Sequence, residues 1–493
     1  DYNEINEQKD VDIIQNWIDG KWIPYQNASL FMNHNPHNAE VLQKVVSSGA
    51  DQISNAVVSA RKAQSTWASF TPVKRGDILR ELSLLMQTNH DELAHILHLE
   101  TGKSMKDALG EVGAAIEQGF FWAGEGRRFF GRTLTTAIPN RSSFVTLNPV
   151  GVAGLIVPAN TSLANIAWKI FPALLCGNAV VLKSAEDSPW IAWAVAQLSQ
   201  AAGLPDGVLN VVHGKRETGK ALVANQGVDV ISFTGSTVVG REIAKVAGER
   251  LVKVSLELGG KNPLVVCDDA DIDLALHWAL ISSFSNAGQR CAASSRIIVF
   301  DKIYDEFRDR FVECTQNLKL GVCDGNDLGP VINERQLKFL LDAIQQAVEE
   351  GGNLLIGGER ENDDSHCKGY YMQPTIIENI GSEASISQTE LFGPVTCLYR
   401  VRDFNEALKL ASDSDYGLTA SIHTQSLHRA LKFSKSLPSG VVNVNGGTHG
   451  SEPHMPFGGV KNSGNGMREP GLEALDVYTE KKNTHLNFDP NHI

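Results

Sequence analysis

The chain has 493 residues, of which 42% are hydrophobic and 20% charged, and this composition excludes a largely disordered protein. Its 57 acidic and 44 basic residues give a formal net charge of −13, which argues against a broad nucleic-acid-binding surface. At roughly 150 residues per domain, the length allows about three domains, or one or two larger ones.

The seven cysteines are scattered along the chain and form no CxxC pair. An odd number without paired spacing argues against a disulfide framework and against a thiolate metal site, so we expect no metal. The pattern is typical of a reducing compartment. No apolar run approaches the roughly 18 residues that cross a bilayer, and the acidic stretch Asp1–Asp10 lacks the pattern of a secretory signal. We therefore expect a cytoplasmic protein with no membrane or nucleic-acid partner.

The hydrophobic pattern predicts helices first and then two α/β stretches. Residues 51–130 have helical periodicity. From about residue 150, β-branched runs such as Val152–Val157 and Ala179–Leu182 alternate with helical patterns such as Leu163–Leu175. A second alternating stretch covers about 271–445. Such alternation predicts βαβ units, mainly parallel sheets and an α/β fold of two lobes with a cleft between them. Ligands of such sheets bind beyond the carboxyl ends of the strands.

Polar residues follow two of these predicted strands. Asn160 comes shortly after Val152–Val157, and an amide N–H can stabilise an oxyanion. Lys183 and Glu186 follow Ala179–Leu182, and residues of this kind can hold ribose hydroxyls. Taken alone, the same residues are better explained as a turn asparagine and an exposed ion pair.

A glycine turn joins the next strand to a helix. The strand Val230–Phe233 leads into Gly235, Ser236 and Gly240, and a helix is predicted over Arg241–Ala247. A helix N-terminus reached through glycines offers free N–H groups to a phosphate. Because this is not the GxGxxG pattern, the segment alone is a weak dinucleotide signal, and any tight strand-to-helix turn would explain the glycines.

One acid and one cysteine have surroundings suited to catalysis. Glu257 ends the strand-like run Val252–Leu258, and a carboxylate among apolar residues has a raised pKa that suits a general base. Cys291 follows Arg290 in a glycine-containing turn, so we expect a lowered thiol pKa. The alternatives are an edge-strand acid in water and one more small buried cysteine.

Together these segments resemble the aldehyde dehydrogenase superfamily, from about residue 15 to residue 485. The further motifs that carry the resemblance keep the family's order and spacing, and they are Glu100–Lys103, Phe233–Ser236, Glu257–Pro263, Gly288–Cys291, Glu390–Pro394, Tyr416–Leu418 and Pro456–Gly459. Any one of them could arise by chance, but the ordered set is highly specific.

The resemblance implies a role for each candidate residue. In catalysis, Cys291 is the expected nucleophile, Asn160 with the Cys291 backbone N–H the oxyanion hole, and Glu257 the base that activates water, with Lys169 and Glu469 on a proton path. The expected cofactor residues are Lys183 and Glu186 at the adenosine ribose, Gly235 and Ser236 at the pyrophosphate, Gly259 in the turn after the base, Glu390 at the nicotinamide ribose and Phe392 beside the ring.

The activity implied is oxidation of a small aldehyde to the carboxylic acid through a cysteine thiohemiacetal and a thioester that water hydrolyses. Glu257 separates this chain from relatives that pass the acyl group to coenzyme A. Glu186 carries a negative charge where the 2′-phosphate of NADP would lie, which favours NAD. Two other activities remain open, a semialdehyde dehydrogenase acting on a carboxylated aldehyde and a thiol esterase or acyltransferase on the same scaffold. A non-enzymatic scaffold protein is a third alternative.

The sequence departs from the family pattern near Asn160. The family commonly reads Pro-Trp-Asn-Phe-Pro, whereas Pro158–Ser162 has small residues in place of both aromatics, which widens the expected cleft. Trp168 and Ser285 stand where some semialdehyde relatives have arginines for a carboxylate. The loop residues expected at the substrate mouth are His449, Ser451, Glu452 and His454.

The family likeness also implies the domain organisation. A discontinuous, Rossmann-like NAD-binding domain is expected at 1–127 and 149–258, and a catalytic domain at 259–455. A small β extension for oligomerisation is expected at 128–148 and 474–493. Its predicted strands are Arg132–Asn148 and Asp476–Asn487, which suit a homodimer or homotetramer.

Overall fold

The structure is a computed structural model that describes residues 13–25, 29–323 and 325–492. The acidic stretch Asp1–Asp10 lies outside these ranges. Within them, no helix combines the length and the apolar character that crossing a bilayer requires.

The described helices begin and end as follows: α1 (Ala50–Ser69), α2 (Pro72–Thr88), α3 (His90–Thr101), α4 (Met105–Glu125), α5 (Ser162–Leu175), α6 (Trp190–Ala201), α7 (Arg216–Ala224), α8 (Thr237–Arg250), α9 (Ile272–Phe284), α10 (Asp301–Gln316), α11 (Glu334–Glu349), α12 (Ser385–Gln388), α13 (Phe404–Ser412), α14 (Leu427–Ser436) and α15 (Ala474–Tyr478).

The described strands are β1 (Ile13–Ile14), β2 (Trp17–Ile18), β3 (Lys21–Trp22), β4 (Ser29–His34), β5 (Val41–Ser47), β6 (Arg132–Leu134), β7 (Arg141–Pro149), β8 (Val152–Ile156), β9 (Ala179–Lys183), β10 (Leu209–Val212), β11 (Val230–Thr234), β12 (Lys253–Glu257), β13 (Asn262–Val266), β14 (Ser294–Phe300), β15 (Asn353–Ile356), β16 (Thr375–Glu378), β17 (Val395–Val401), β18 (Tyr416–Gly417), β19 (Thr419–His423), β20 (Val441–Val444), β21 (Val460–Lys461) and β22 (Thr479–Asn487).

Two seven-stranded sheets organise the chain. The first sheet has the order β12-β11-β8-β9-β10-β2-β3, and the second has the order β15-β16-β17-β14-β13-β19-β20. Five neighbouring strands of the first sheet, β12 to β10, run parallel, and in the second only β15 is antiparallel to its neighbour. These sheets confirm the predicted α/β fold, while the predicted domain boundaries stay a prediction.

The first sheet has a core on each face, which explains its continuous apolar strands. Along β9, Val180 and Leu182 belong to one hydrophobic cluster, whereas Ala179 and Val181 belong to another. Successive side chains of a strand point to opposite faces, so both faces of this sheet are buried. The second sheet is likewise covered on both faces.

The parallel strands of the first sheet end at one edge and bring the predicted site segments together. Thr234 pairs with Glu257 across β11 and β12, and Ile156 pairs with Lys183 across β8 and β9. The segments that follow these strands carry Asn160, Glu186 and Ser236. The site therefore forms where ligands of doubly wound sheets bind.

A small antiparallel sheet has the order β22-β7-β6. Its strands differ in two ways from those predicted from the sequence. The segment Arg132–Asn148 forms two strands rather than one, and residues 476–478 belong to helix α15 before β22 begins. Exposed apolar side chains lie in and around this sheet, namely Phe130, Leu134, Ile138, Leu486 and Phe488.

Candidate active site

A cavity of about 360 Å³ collects most of the predicted site residues. Its wall is formed at the carboxyl edge of the first sheet, at the turn before β14 and at the segment before β17. The predicted residues that line it are Asn160, Gly235, Ser236, Glu257, Gly259, Cys291, Glu390 and Phe392. Lys169, Lys183, Glu186 and Glu469 lie outside its wall.

Cys291 lies in a turn whose backbone is strained. Asn286 and Ala287 both have φ of 53°, and Gly288 has φ of 66°, in the left-handed region that side chains with a Cβ rarely adopt. Such strain persists only where the surrounding structure holds it, and it concentrates at functional sites. Here it turns the chain between α9 and β14 so that Cys291 faces the cavity.

The thiol of Cys291 contradicts the expectation of a lowered pKa. Burial raises its pKa to about 12, and the carboxyl groups of Glu390 and Glu257 raise it further. The backbone N–H of Ala292 and the guanidinium of Arg290 act in the opposite direction but are weaker. The prediction of a lowered thiol pKa was wrong because it rested on the neighbouring Arg290 alone. Burial and the two acids from distant segments of the chain have the larger effect on this pKa.

Asn160 is held by hydrogen bonds on both its backbone and its side chain. Its carbonyl accepts from Lys103 Nζ at 2.8 Å and from Asn286 Nδ2 at 3.2 Å. Its side-chain Nδ2 donates to the Gln289 carbonyl at 2.9 Å. Because an amide nitrogen carries two hydrogens, one N–H of Asn160, which lines the cavity, has no hydrogen-bond partner among the described residues and is available to a ligand.

Glu257 is a buried carboxyl group, 3% exposed, without a hydrogen-bond partner for either oxygen in the described residues. Burial raises its pKa well above the ordinary value, and the charge of Glu469 adds to this. An added Cβ at Gly458 would lie 2.5 Å from Glu257 Oε1, so this glycine leaves the space that the carboxyl group occupies. An unpaired acid of raised pKa beside a cavity is suited to accept a proton from a bound molecule.

A buried polar network lies beneath Glu257. Lys169 Nζ lies 2.7 Å from Glu469 Oε2 and donates to Ser232 Oγ at 2.6 Å. Ser232 Oγ and the Tyr478 hydroxyl both donate to Glu469 Oε1, at 3.0 and 2.9 Å. The structure therefore brings the predicted pair Lys169 and Glu469 together, close enough for their charges to act on Glu257.

The cofactor side of the cavity contains a helix N-terminus and a carboxyl group. Ser236 is the N-cap of α8, and its side chain accepts from the Val239 N–H. Glu390 accepts from the Gly260 N–H at 3.0 Å, and burial raises its pKa to about 7. A Cβ at Gly259 would lie 2.0 Å from Glu390 Oε2, so only glycine permits this approach.

Lys183 and Glu186 lie beyond the cavity, after β9. Lys183 is buried, which lowers its pKa to about 8. Glu186 is partly exposed, and its Oε1 lies 3.9 Å from Nη2 of the exposed Arg335 at the start of α11. An acid and a cation are thus both present at this end of the site.

The other side of Cys291 is apolar. Trp168 and Phe457 have ring centroids 5.4 Å apart, and they pack with Cys291 in a cluster completed by Ala292, Leu418 and Val441. The loop residues His449, Ser451, Glu452 and His454 are absent from the described wall of the cavity. Their expected place at the substrate mouth therefore stays a prediction.

The comparisons with known proteins agree with this geometry. Residues 22–484 match the profile of the aldehyde dehydrogenase family. The chain belongs to the aldehyde dehydrogenase family. It is similar to the alpha-ketoglutaric semialdehyde dehydrogenase of Bacillus subtilis, with 36% identity over 471 residues that cover 95% of this chain and 96% of the relative.

Solved structures of other aldehyde dehydrogenases have the same fold. A betaine aldehyde dehydrogenase from Staphylococcus aureus in complex with NAD+ gives a TM-score of 0.94 at 32% identity, covering 97% of this chain and 95% of that one. An NADP-dependent enzyme from Escherichia coli gives a TM-score of 0.93 at 35% identity, covering 96% and 98%. The predicted family and enzyme class are therefore confirmed: this aldehyde dehydrogenase is an oxidoreductase that acts on aldehydes.

Sequence reasoning missed several residues of the aldehyde dehydrogenase site. Ser232 and Tyr478 join the Lys169–Glu469 pair, and Lys103, with Glu111, contacts the segment that carries Asn160. The signal for Ser232 was a polar residue inside the otherwise apolar strand β11. Lys103 stood in the recognised motif Glu100–Lys103, but nothing local in the sequence indicates its distant partner.

Proposed function

We propose that this enzyme oxidises an aldehyde to the carboxylic acid, with Cys291 as nucleophile, Glu257 as the base for hydrolysis and NAD as cofactor. The observation that carries the proposal is the shared cavity of a thiol, an unpaired carboxyl group and a primary amide, which Cys291, Glu257 and Asn160 contribute. This set supplies what acyl chemistry through a thioester requires.

The first step takes place at Cys291 Sγ. A thiol of high pKa gives a scarce thiolate, but one that is strongly nucleophilic, and this thiolate attacks the aldehyde carbon. The new C–S bond turns the carbonyl oxygen into an oxyanion, which the free N–H of Asn160 Nδ2 stabilises. When bound, NAD supplies the two-electron acceptor that converts this thiohemiacetal into a thioester.

The second step removes the acyl group. Glu257 takes a proton from water, the water oxygen attacks the thioester carbon, and the C–S bond breaks to release the carboxylic acid and the Cys291 thiolate, while the proton stays on Glu257. The raised pKa of Glu257 keeps it a strong enough base for water, and the network of Lys169 and Glu469 offers a buried route for its proton.

The residues present fit NAD. The N-terminus of α8 at Ser236 offers N–H groups and a positive dipole end to a pyrophosphate. Glu390 would accept hydrogen bonds from the nicotinamide ribose, and Lys183 and Glu186 would hold the adenosine ribose. Phe392 also lines the cavity and would pack beside the nicotinamide ring.

Glu186 is proposed to set the preference for NAD over NADP. We expect Glu186→Gln to raise the ratio of kcat/KM for NADP to that for NAD by roughly tenfold, because the 2′-phosphate then meets Arg335 without the opposing carboxylate. Glu406→Gln, which breaks an arginine pair on α13, is the matched control and should leave the ratio unchanged. A wild-type enzyme that prefers NADP, the cofactor named for the structurally similar Escherichia coli enzyme, would contradict the assignment.

A semialdehyde is the second candidate substrate. The Bacillus subtilis relative is named for a semialdehyde, and Arg290 lies next to Cys291 with its Nε buried and without a hydrogen-bond partner in the described residues. Its Nη2 lies 4.0 Å from Asp107 Oδ1, so the guanidinium is only loosely paired. Arg290 is absent from the described wall of the cavity, so a substrate carboxylate would have to extend beyond the cavity to pair with it, whereas the apolar contacts of Trp168 and Phe457 favour a neutral aldehyde.

A panel of aldehydes tests the proposed function. Short aliphatic, aromatic and ω-carboxylated aldehydes are each assayed for NADH formation with NAD, and the acid product is identified by chromatography. Turnover with release of the free acid is expected, and faster turnover of the ω-carboxylated members would assign the semialdehyde activity. Ester hydrolysis without NADH formation from any aldehyde would instead support the thiol esterase alternative.

A homodimer or homotetramer is also proposed. The exposed apolar side chains around the small sheet, such as Phe130 and Phe488, support a covering partner copy. Light scattering that gives the mass of a single chain at micromolar concentration would overturn this proposal. The cytoplasmic location stays a prediction from the cysteine pattern.

A further inference from the structure

A buried ion pair outside the cavity holds the segment that carries Asn160. Lys103 is 3% exposed and Glu111 is 7% exposed, and the Lys103 ammonium contacts the Glu111 carboxylate directly. Taking two charges out of water costs several kcal/mol per ion, and their attraction repays this only with good geometry and further hydrogen bonds. The further hydrogen bonds of this pair show which part of the protein it acts on.

Lys103 acts on the backbone of Asn160. Its Nζ donates to the Asn160 carbonyl at 2.8 Å, so the buried cation fixes the peptide that follows Asn160. Lys103 reaches this position because Gly102, at the end of α3, adopts the left-handed conformation with φ of 68°. The glycine of the motif Glu100–Lys103 therefore directs Lys103 towards the loop after β8, which contains Asn160.

Glu111 acts on the helix that begins next to Asn160. Its Oε1 accepts from the N–H groups of Leu163 and Ala164, at 2.8 and 3.3 Å, in the first turn of α5. The local N-cap residue, Thr161, makes no side-chain capping bond, so Glu111 supplies from another helix what the local sequence lacks. Lys103 thus binds Asn160 on one side of Thr161, and Glu111 binds Leu163 and Ala164 on the other side.

We propose that Lys103 and Glu111 are positioning residues that set the Asn160 amide relative to Cys291. The proposal rests on the proposed oxyanion role of Asn160. Neither charge lines the cavity, so both act through Asn160 and the start of α5. The neighbours of Asn160 in the chain, Ala159 and Thr161, have small side chains, so the Asn160 turn relies on contacts from Lys103 and Glu111 rather than on bulky local packing.

A double-mutant cycle tests the proposal. Asn160→Ala should lower kcat/KM by about 10²- to 10³-fold, as expected for loss of one oxyanion donor. Lys103→Met combined with Glu111→Gln should lower kcat/KM by roughly tenfold or more, because these contacts are lost and no buried charge is left uncompensated. The triple variant combines Asn160→Ala with Lys103→Met and Glu111→Gln. Its loss in kcat/KM should be smaller than the product of the two separate losses, because the position of the Asn160 amide has no effect once that amide is removed. NAD affinity by calorimetry should stay within about twofold, since the proposed cofactor contacts are untouched.

Arg75 provides the matched control. It is also a buried cation, 3% exposed, and its Nε donates to the Leu175 carbonyl at the opposite end of α5. Any loss of activity in Arg75→Met should multiply with that of Asn160→Ala, because it acts on general stability. Multiplying effects in the Lys103 and Glu111 cycle would overturn the positioning role while leaving that of Asn160 intact. An unchanged rate in Asn160→Ala would overturn the oxyanion role and, with it, the positioning proposal.

Discussion

Cys291→Ala is expected to abolish aldehyde oxidation, with a fall in kcat of at least about 10³-fold, or about 4 kcal/mol in the activation free energy. The reason is that Cys291 carries the only thiol among the described residues that line the cavity, and a thiolate is a far better nucleophile towards the aldehyde carbon than a hydroxyl group. NADH formation with excess aldehyde and NAD measures the loss. NAD binding should persist, because the proposed cofactor contacts of Lys183, Glu186 and Ser236 do not involve Cys291.

Cys314→Ala is the matched control for this variant. Cys314 lies on α10, has an intermediate exposure like that of Cys291, and is absent from the wall of the cavity. Its activity should equal that of the wild-type enzyme. If Cys291→Ala kept a substantial rate, or if both variants lost activity to the same extent, the nucleophile assignment would be contradicted.

Glu257→Gln is expected to block the second half of the reaction. The first turnover should still release about one NADH per active site, but the steady-state rate should fall by about 10²- to 10⁴-fold because the amide cannot take a proton from water. Stopped-flow absorbance separates the two phases. Glu378→Gln is the control, since Glu378 is another buried glutamate, hydrogen-bonded to Tyr304 and absent from the described wall of the cavity.

The pH dependence follows from the directions of the two pKa shifts. Only the ionised form of Glu257 can act as a base, and burial raises its pKa, so the wild-type steady-state rate should rise as pH rises through that pKa. Glu257→Gln should lose this rise. The initial burst should speed up with pH in both enzymes, because the Cys291 thiolate becomes more abundant towards its pKa of about 12. A pH-independent steady state in the wild type would contradict the role of Glu257.

The local parts of the site could be predicted from the sequence. Glu257 ends a predicted strand shortly before two glycines, and Cys291 lies in a glycine-containing turn, so both stand at strand ends or turns where ligands bind. The alternation of strands and helices fixed the α/β class for the same reason, since periodicity is a local property. These features need only residues that are close together in the chain.

The electrostatics and the supporting contacts could not be predicted in this way. Ser232 and Glu469 are 237 positions apart, and Lys103 and Asn160 are 57 apart, so only the folded chain reveals their contacts. The pKa of Cys291 was mispredicted because it depends on burial and on Glu390, which arrives from another segment. Charges act through space, and sequence spacing does not report them.

Mass spectrometry of the acyl enzyme tests whether Cys291 forms the thioester. Glu257→Gln is mixed with NAD and an aldehyde that the wild-type enzyme oxidises, quenched in acid and digested. The peptide containing Cys291 is expected to carry one acyl group, and the double variant with Cys291→Ala is expected to carry none at that position. An unmodified Cys291 peptide after NADH has formed, or an acyl group on one of the other six cysteines, would contradict this role of Cys291.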